Sequence, residues 1–458
     1  MSVIVIGGGL SGMSAALALS ESGVRVTLLE SSSRLGGRAS SVYNKRLGMT
    51  IDLGQHALLG CCTNLLDFYR RIDATDSIEF HDSLAFFERD GIRSLKLSRL
   101  PEPLHLLPSL LSSASLPARD KLRASRLIGK PAHRSLEGLT ASEWLRRLGQ
   151  SPSSVKHFWE PVLVGALNEN LDRAGAEYAS MVVRLAMMGN REGFRMGVHR
   201  QPLSEANHTK GLRTLVNRDV DVHFGECAVD VERDVNSHDF AVRTRAGSEF
   251  KAERLVLAGG RDSSALFPPD VFRTRDDEAA MSKPVQVPIV TLYLWFSGFV
   301  DIPKVLCMPE GRFHWCIDRT SFEASRKEKG TAVSLVWSSA RDAAPKTNVE
   351  ITALGLQELE SVLGKLPGVE ESLVVRMRSA TFSPTPCSRR NRPVNRTSIQ
   401  GLFLAGEWCD TGWPGTMEGA VRSGYMCASA ILDDMGIASD VPVPDLPPRG
   451  LSKLIGRL

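Results

Sequence analysis

The sequence predicts an α/β protein in which one domain is assembled from segments at both ends of the chain. An apolar run at residues 3–6, a glycine-rich turn and a helix-like stretch follow one another near the N-terminus. A second apolar run, at residues 402–405, ends in a glycine and an acid and leads into another helix-like stretch. Strand, turn and helix in this order are typical of an α/β fold.

The first unit has the spacing of a Rossmann-like dinucleotide site. Gly7, Gly9 and Gly12 form a G-x-G-x-x-G turn between the first apolar run and the helix-like residues 10–21. Gly7 permits the tight turn, Gly9 lets a pyrophosphate approach the backbone, and Gly12 lets helix and strand pack closely. The pyrophosphate is expected at the helix N-terminus, where unpaired N–H groups favour negative charge and where the helix starts with Leu10, Ser11 and Gly12.

An acid follows the second strand of this unit. Residues 25–29 form a strand-like run that ends at Glu30, whose carboxylate can accept hydrogen bonds from ribose hydroxyls. The next residues are S-S-S-R-L-G-G-R, ending at Gly37 and Arg38. This string resembles the E-x-x-x-x-x-G-G-R segment of the flavin amine oxidase and carotenoid desaturase superfamily, where the arginine meets the FAD pyrophosphate. The resemblance implies that the dinucleotide is FAD and that Arg38 supplies a fixed positive fork.

The C-terminal unit resembles the second FAD motif of the same superfamily. Gly406 and Glu407 end the strand-like run, and M-E-G-A-V begins at Met417 after a glycine-rich turn. The resemblance implies that this acid binds the ribityl or pyrophosphate part of FAD, and that the helix starting near Met417 points at the pyrimidine edge of the flavin. A helix N-terminus at that position stabilises the negative charge of the reduced flavin.

A middle segment completes the predicted FAD-binding domain. Residues 221–225 and 228–232 have hairpin-like strand patterns, and residues 251–259 are typical of a returning core strand. In the superfamily, the backbone at the position of Ala228 contacts adenine. The FAD-binding domain is therefore expected to comprise residues 1–57, 206–265 and 385–440.

The remaining residues, 58–205 and 266–384, are expected to form a substrate domain with a mixed sheet and a helical cap. The first part is rich in leucine and helix-like, as in residues 141–148, and the second part contains strand-like runs. The superfamily resemblance implies the same architecture. Residues 441–458 are left as a proline-rich linker and a short tail that is a candidate for membrane contact.

The composition is typical of a folded protein in a reducing compartment. With 42% hydrophobic and 24% charged residues, the chain can fill two cores, and it lacks the long uncharged apolar run of a membrane-spanning helix. No charged stretch precedes the first apolar run, so we expect no signal peptide. The eight cysteines include no C-x-x-C pair, which favours a cytoplasmic protein, and we find no metal-ligand pattern. Cys387 and Cys409 lie outside a covalent-attachment context, so we expect FAD to be bound non-covalently.

Further strings narrow the resemblance. D-L-G-Q-H-A-L-L-G at residues 52–60 is similar to a segment of the hydroxysqualene dehydroxylases, also called squalene-associated FAD-dependent desaturases. Residues 158–161, 166–168 and 406–424 are similar to the same family. The resemblance places Gln55 and His56 among the residues expected at the cofactor. Residues 408–410 and the basic loop 387–396 depart from the family pattern.

That family removes a hydroxyl from a C30 isoprenoid alcohol to give squalene, in hopanoid and squalene synthesis. The implied reaction is a reduction, in which the allylic C–O bond breaks and hydride arrives from reduced flavin, so an external electron donor is required. Because the hydroxyl is a poor leaving group, we expect a general acid to protonate it. His56 is the first candidate, since histidine titrates near neutral pH, and Glu160 is the second, since burial among aromatic residues would raise its pKa. A purely structural role for His56 is equally open.

Two other activities remain open. A phytoene-type desaturase shares the M-E-G-A-V motif but moves hydride toward oxidised flavin, and the residues do not reveal the direction of hydride transfer. A lipid carrier without catalysis would keep the fold. Such a carrier would have no reason to retain Gly9, Glu30, Arg38 and Glu407 together, which argues against it.

Two basic, leucine-rich segments favour contact with a membrane surface. Residues 91–134 hold nine Lys or Arg, two acids and eleven leucines, interrupted by prolines. A cap with leucines inward and basic residues outward fits this segment equally well. On a helix, residues 449–458 would separate apolar from basic side chains, although a disordered tail is the alternative. The basic segment lacks interleaved aromatic residues, so no nucleic acid is expected as a partner. We therefore expect a cytoplasmic protein in peripheral contact with the inner face of the cell membrane.

Overall fold

The computed structural model describes residues 1–89, 91–123, 136–234, 236–259, 265–274, 285–321 and 330–455. The strands are β1 (Ser2–Ile6), β2 (Arg25–Glu30), β3 (Ser41–Asn44), β4 (Met49–Asp52), β5 (Ala57–Leu59), β6 (Ile78–His81), β7 (Ser83–Glu88), β8 (Gly91–Lys96), β9 (Met196–His199), β10 (Asp221–Phe224), β11 (Ala228–Arg233), β12 (Phe240–Thr244), β13 (Glu249–Ala252), β14 (Arg254–Leu257), β15 (Phe272–Thr274), β16 (Gln286–Phe296), β17 (Val305–Cys307), β18 (Trp315–Asp318), β19 (Ala332–Trp337), β20 (Val369–Phe382), β21 (Pro393–Thr397) and β22 (Leu402–Leu404). The α-helices are α1 (Leu10–Glu21), α2 (Thr63–Arg71), α3 (Leu107–Ser112), α4 (Ala118–Arg123), α5 (Ala141–Arg147), α6 (Pro152–Ser154), α7 (Glu160–Leu167), α8 (Ala176–Val182), α9 (Arg191–Phe194), α10 (Gly211–Asn217), α11 (Asn348–Leu363), α12 (Met417–Asp434) and α13 (Ser452–Ile455). Within the described residues the strands form two large sheets and three smaller ones, β11-β12-β13, β3-β4 and β5-β9-β6.

The first large sheet joins both ends of the chain. Its strand order is β10-β2-β1-β14-β22-β21-β15, and the first five strands pair in parallel. Parallel strands are covered on both faces, which explains why β1 is a continuous apolar run with Val3, Ile4 and Val5 almost free of solvent. The helices α1 and α12 pack against each other beside this sheet. The predicted α/β fold class, with one domain assembled from distant segments, is confirmed.

The second large sheet is mixed and carries the other core. Its strand order is β20-β16-β19-β18-β17-β7-β8, with β17 and β7 parallel and the other pairs antiparallel. Leu292, Leu294 and Leu335 are fully buried in its core. Most of the short helices between α2 and α9 contribute buried side chains to the same core as α1 and α12. Among the described residues, no helix combines the length and apolar character needed to span a bilayer.

The structure adds two details to the expected segment boundaries. β15 pairs with β21 of the first sheet although it lies after residue 265. The proline-rich residues 441–448 pack on the domain instead of forming a free linker, because Val443 N donates to Asn64 Oδ1 at 2.9 Å and Asn64 Nδ2 donates to the Val443 carbonyl oxygen at 2.8 Å. Residues 260–264 and 275–284, which belong to the predicted domains, lie outside the described residues.

Candidate functional site

A cavity of about 720 Å³ is lined by residues of both domains. One part of its wall is rich in glycine and charge and comes from residues 7–11, 30–39 and 407–420. The other part is apolar and comes mainly from residues 84–95, 162–196 and 305–317. The predicted site residues that line the cavity are Gly7, Gly9, Leu10, Ser11, Glu30, Gly37, Arg38, Gln55, His56, Glu407 and Met417.

The glycine turn leaves open space at the N-terminus of α1, and we call the space beside Gly9, Leu10 and Ser11 the cradle. An added Cβ at Gly9 would meet no atom within 4 Å, so the backbone there borders open space. An added Cβ at Gly12 would lie 1.9 Å from the Gly7 carbonyl oxygen, which shows how tightly α1 is held against the turn. Leu10 and Ser11 begin the helix and line the cavity. The cradle therefore has room for a phosphate group beside the unpaired N–H groups of the helix N-terminus.

The Glu30 carboxylate is fixed by the backbone around it. Gly8 N donates to its Oε2 at 2.7 Å, and Ser32 N donates to its Oε1 at 2.8 Å. The residue is buried at the edge of the cavity. Ser31 Oγ also donates to Oε1, over a longer distance of 3.4 Å. A carboxylate can accept about four hydrogen bonds, so Glu30 retains the capacity to accept from a ribose hydroxyl.

Arg38 and Glu407 meet at the cavity wall from opposite ends of the sequence. Arg38 Nη2 lies 2.5 Å from Glu407 Oε2, and Arg38 Nη1 donates to the Ala380 carbonyl oxygen at 2.9 Å. The negative charge of Glu407 raises the pKa of Arg38 above its ordinary value. The pair therefore places a permanent positive charge beside a carboxylate, next to the glycine cradle.

The N-terminus of α12 faces the same cavity. Thr416 Oγ1 accepts a hydrogen bond from Gly419 N at 3.1 Å, and Met417 lines the cavity. The loop before this helix is held by Arg392, which is 4% exposed and donates to the carbonyl oxygens of Glu407, Cys409 and Trp413. Arg392 was not identified from the sequence. The signal that could have pointed to it is the unusual positive charge of the loop 387–396, to which it belongs.

Gln55 and His56 lie after β4, where the two parts of the cavity wall meet. His56 Nδ1 is 2.9 Å from the Gly54 carbonyl oxygen, so this nitrogen carries the proton and donates it. Burial lowers the pKa of His56 below its ordinary value. The ring is therefore neutral at pH 7, with Nε2 unprotonated.

Gln55 is oriented by Arg319, which forms a buried ion pair with Asp52. Arg319 Nη1 donates to Gln55 Oε1 at 2.7 Å, and Ser334 Oγ donates to the same oxygen at 2.9 Å. Arg319 also lies 3.4 Å from the Asp52 carboxylate, and both residues are almost completely buried. Arg319 was not predicted, since no motif in residues 315–321 marks it as part of the site.

His199 is a second buried histidine beside this pair. The antiparallel register of β5 and β9 places Ala57 opposite Val198, which sets His199 next to His56. Its ring packs edge-on against Tyr69, and neither ring nitrogen has a hydrogen-bond partner. Burial lowers the pKa of His199 to about 4, so this histidine is also neutral at pH 7.

Four predicted residues lie off the cavity surface. Gly12 and Gly406 lie behind its wall, and Ala228 begins β11, close to where Glu226 N donates to the Glu30 carbonyl oxygen at 3.0 Å. Glu160 begins α7, whereas Val162, Gly165 and Ala166 of the same helix line the cavity. Burial raises the pKa of Glu160, as predicted from its aromatic neighbours, but its carboxylate faces Lys156 and Asp172.

The apolar part of the wall carries no charged side chain among the described residues that line it. Its polar members include Asn168, whose amide is already engaged: Asn168 Nδ2 donates to Thr381 Oγ1 at 2.9 Å, and Ser339 N donates to Asn168 Oδ1 at 2.7 Å. The apolar side chains of this part include Leu84, Phe86, Leu95, Val162, Met181, Leu185, Met187, Phe194, Trp315 and Ile317. Such a wall suits an extended apolar molecule.

Comparison with known proteins identifies relatives along nearly the whole chain. The sequence profile of the family described as flavin containing amine oxidoreductase matches residues 10–432. Hydroxysqualene dehydroxylases of Zymomonas mobilis and Rhodopseudomonas palustris are 25% and 27% identical, over 93% and 94% of this chain and 98% of each relative. A zeta-carotene desaturase of Capsicum annuum is 24% identical over 94% of this chain and 81% of its own length. The resemblance inferred from the motifs is therefore confirmed.

Solved structures show the same fold. An oxidoreductase from Methanosarcina mazei superimposes with a TM-score of 0.69 at 16% identity, covering 94% of this chain and all of the other. Cyclohexylamine oxidase from Brevibacterium oxydans superimposes with a TM-score of 0.66 at 17% identity, covering 95% of this chain and 99% of the other.

Proposed function

Because this chain belongs to the flavin-containing amine oxidoreductase family and is a flavin-dependent oxidoreductase, we propose that it binds FAD non-covalently and reduces a long-chain isoprenoid alcohol. The specific reaction we propose is the reductive dehydroxylation of hydroxysqualene to squalene. The observation that carries the proposal is a single cavity whose glycine-rich, charged part continues into an uncharged apolar part. The relatives named hydroxysqualene dehydroxylase support the choice of substrate.

The residues of the charged part fit FAD. The open backbone at Gly9 and the first N–H groups of α1 would hold the pyrophosphate, together with Arg38. Glu30 would hold the ribose, and the N-terminus of α12 at Met417 would face the flavin. The sequence contains no cysteine motif for a covalent link to the flavin.

The chemistry needs a hydride and a proton. When bound and reduced, the flavin supplies the hydride. The substrate C–O bond breaks, the hydroxyl leaves as water after taking up one proton, and the carbon gains the hydride. We propose that His56 takes up a proton on Nε2 as the pH falls and passes this proton to the leaving oxygen, while its Nδ1–H remains bonded to Gly54. Since the reaction consumes two electrons, an external electron donor must serve the protein in each turnover.

A carotenoid desaturase is the second candidate, favoured by the similarity to the zeta-carotene desaturase of Capsicum annuum. The same apolar wall would hold a polyene precursor. In that case the substrate would lose hydride, and a proton donor at His56 would serve no purpose.

An anaerobic turnover assay separates the two candidates. Purified yellow protein is mixed with chemical reductant and hydroxysqualene, or with oxidised flavin and phytoene, and the products are separated by mass. We expect squalene from hydroxysqualene and no change in phytoene. Conversion of phytoene alone would replace the proposal with the desaturase, and a colourless protein that cannot be reconstituted with FAD would remove both.

For the location of the protein, we propose peripheral contact with the cytoplasmic side of the cell membrane. An isoprenoid of this length is dissolved in the bilayer, so the enzyme must meet its substrate there. Arg93 and Lys96 are exposed on the strand whose Leu95 lines the apolar part of the cavity, and these basic residues support the proposal.

A further inference from the structure

Two segments that are distant in the sequence lie together beside the apolar part of the cavity. Ser452 N donates to the Glu102 carbonyl oxygen at 3.1 Å, and an added Cβ at Gly450 would lie only 2.8 Å from Glu102 N. Arg191 fastens the first segment, since Arg191 Nη2 donates to the Leu100 carbonyl oxygen at 2.9 Å and its Nε donates to Glu102 Oε1 at 3.1 Å. Residues 449–454 are therefore fixed on the surface formed by residues 98–106.

We call residues 92–121 and 449–454 the docking face, because they combine exposed leucines with exposed basic residues. The exposed fractions of four leucines are 40% for Leu100, 54% for Leu111, 43% for Leu451 and 64% for Leu454. The exposed basic residues are Arg93, Lys96, Arg99, Arg119, Arg449 and Lys453. The two acids in these segments, Glu102 and Asp120, are buried and lie beside Arg191 and Arg119, at 3.1 Å and 3.6 Å.

The docking face is attached to the wall of the cavity at two points. Leu95 of β8 lies among the basic residues in sequence, and its side chain lines the cavity. Ser452 Oγ donates to the Met188 carbonyl oxygen at 2.7 Å, next to Met187, which also lines the cavity. The docking face is thus connected through Leu95 and Ser452 to residues that line the apolar part of the cavity.

We propose that the docking face binds an anionic lipid bilayer, with the leucines entering the headgroup region and the basic side chains contacting lipid phosphates. Exposed apolar side chains beside charges of a single sign are the pattern of interfacial membrane contact. A second copy of the chain fits less well, because self-association through this face would bring like charges together. The role of the docking face in substrate uptake rests on the isoprenoid substrate proposed above. The binding of the docking face to lipid does not depend on that substrate.

The test uses flavin-replete full-length protein and sedimentation with vesicles. One set of vesicles contains only phosphatidylcholine, and the other also contains phosphatidylglycerol. We expect binding to the anionic vesicles that weakens at high salt. The variant Lys96→Gln, Arg99→Gln, Leu451→Gln, Leu454→Gln should partition at least about tenfold less, since each basic residue near an anionic surface contributes about 1 kcal/mol. Deletion of residues 449–458 is avoided, because it would also remove the hydrogen bonds to Glu102 and Met188.

A matched control changes the same kinds of residue elsewhere. Val349 is 78% exposed at the start of α11, and Lys365 follows that helix. α11 packs on β20, which is the edge of the second sheet opposite β8. The variant Val349→Gln, Lys365→Gln should bind vesicles as the unchanged protein does. All variants should keep their flavin content and melting temperature.

Insertion of the docking face into the bilayer is measured separately with the variant Leu454→Trp. The fluorescence of the added tryptophan should shift to the blue on vesicle binding and be quenched by brominated anionic lipid. Equal sedimentation of the docking-face variant and the unchanged protein would overturn the proposal. So would a dimer in solution that dissociates in that variant, because the face would then be covered by a second copy. Turnover of detergent-dispersed hydroxysqualene is assayed in parallel, so that a failure of lipid binding is distinguished from a failure of the proposed reaction.

Discussion

The two parts of the cavity wall differ in how their side chains are held. In the charged part, Glu30, Arg38 and Glu407 have partners within 2.5–2.9 Å, and the backbone turns around Gly9 permit close approach of a ligand. In the apolar part, side chains such as Leu95, Met187 and Trp315 come from three separate regions. The first part can recognise a ligand atom by atom, whereas the second offers only shape and an absence of charge.

This difference explains why a single fold accepts several substrates. Phosphate and ribose recognition needs fixed donors and acceptors, and any displaced group would leave a buried charge unpaired. An apolar wall discriminates weakly, since one methylene is worth only about 1–3 kcal/mol. The relatives accordingly include both hydroxysqualene dehydroxylases and carotenoid desaturases at similar identity.

The largest expected effect tests the rigidity of the charged part. Gly9→Ala should fold normally, because its added Cβ meets nothing within 4 Å, but it should lose flavin because the methyl group occupies the cradle. Gly12→Ala should lose both flavin and folded protein, because its Cβ would lie 1.9 Å from the Gly7 carbonyl oxygen. Flavin absorbance and far-UV circular dichroism measure the two losses. Normal flavin content in Gly9→Ala would mean that the pyrophosphate does not use this turn.

The same comparison explains what the sequence could predict. The turn at Gly7, Gly9 and Gly12 is a local feature, and Glu30, the acid that ends β2, lies at a fixed distance from it, so both could be predicted from spacing alone. The motif at Met417 required a family resemblance, because its partner residues are about 400 positions away. The fold class followed from the same two units and is confirmed.

Other residues could not be predicted, because their roles depend on tertiary contacts. Arg392 and Arg319 are buried arginines that hold a loop and a glutamine. The unusual charge of residues 387–396 marks the loop of Arg392 but not which of its arginines is buried, and no local pattern marks Arg319. Glu160 shows the opposite case. The predicted rise in its pKa is present, but the orientation of α7 sets the carboxylate off the cavity surface.

The second prediction concerns the junction between the two parts. A flavin-replete His56→Ala protein should lose about 10²–10⁴-fold in turnover of hydroxysqualene if His56 is the proton donor. Glu160→Gln should retain turnover, since Glu160 does not line the cavity. Because burial lowers the pKa of His56, the rate should rise as the pH falls through a value below about 6.5. Native rates in both variants would assign proton delivery to water.

The third prediction concerns His199 and the pH dependence of the free energy of unfolding. The pKa of His199 is about 4 in the folded protein and about 6.5 in the unfolded chain. Between these values only the unfolded chain binds the proton, so the free energy of unfolding should fall as the pH falls, by about 3 kcal/mol in total. His199→Gln should reduce this loss when unfolding is followed by denaturant titration at pH 7 and pH 4.5. His314, whose pKa is also about 4, should keep part of the pH dependence in the variant. An unchanged slope would show that His199 is accessible to protons in the folded state.

The smallest expected effect comes from removing the Glu30 carboxylate from the charged part of the cavity wall. Glu30→Ala should weaken FAD binding by about 1.5–3 kcal/mol, the range for a hydrogen bond to a charged group, which corresponds to roughly ten- to a hundredfold in Kd. The variant also removes the acceptor of Gly8 N and Ser32 N, so part of the loss in FAD affinity comes from a less ordered backbone turn. The melting temperature of the flavin-free variant measures that part, and Glu232→Ala, on the exposed strand β11, serves as the control for removing a surface carboxylate. If Glu30→Ala binds FAD with the native Kd, the carboxylate organises only the backbone turn, and recognition of the ribose must come from another residue of the cradle.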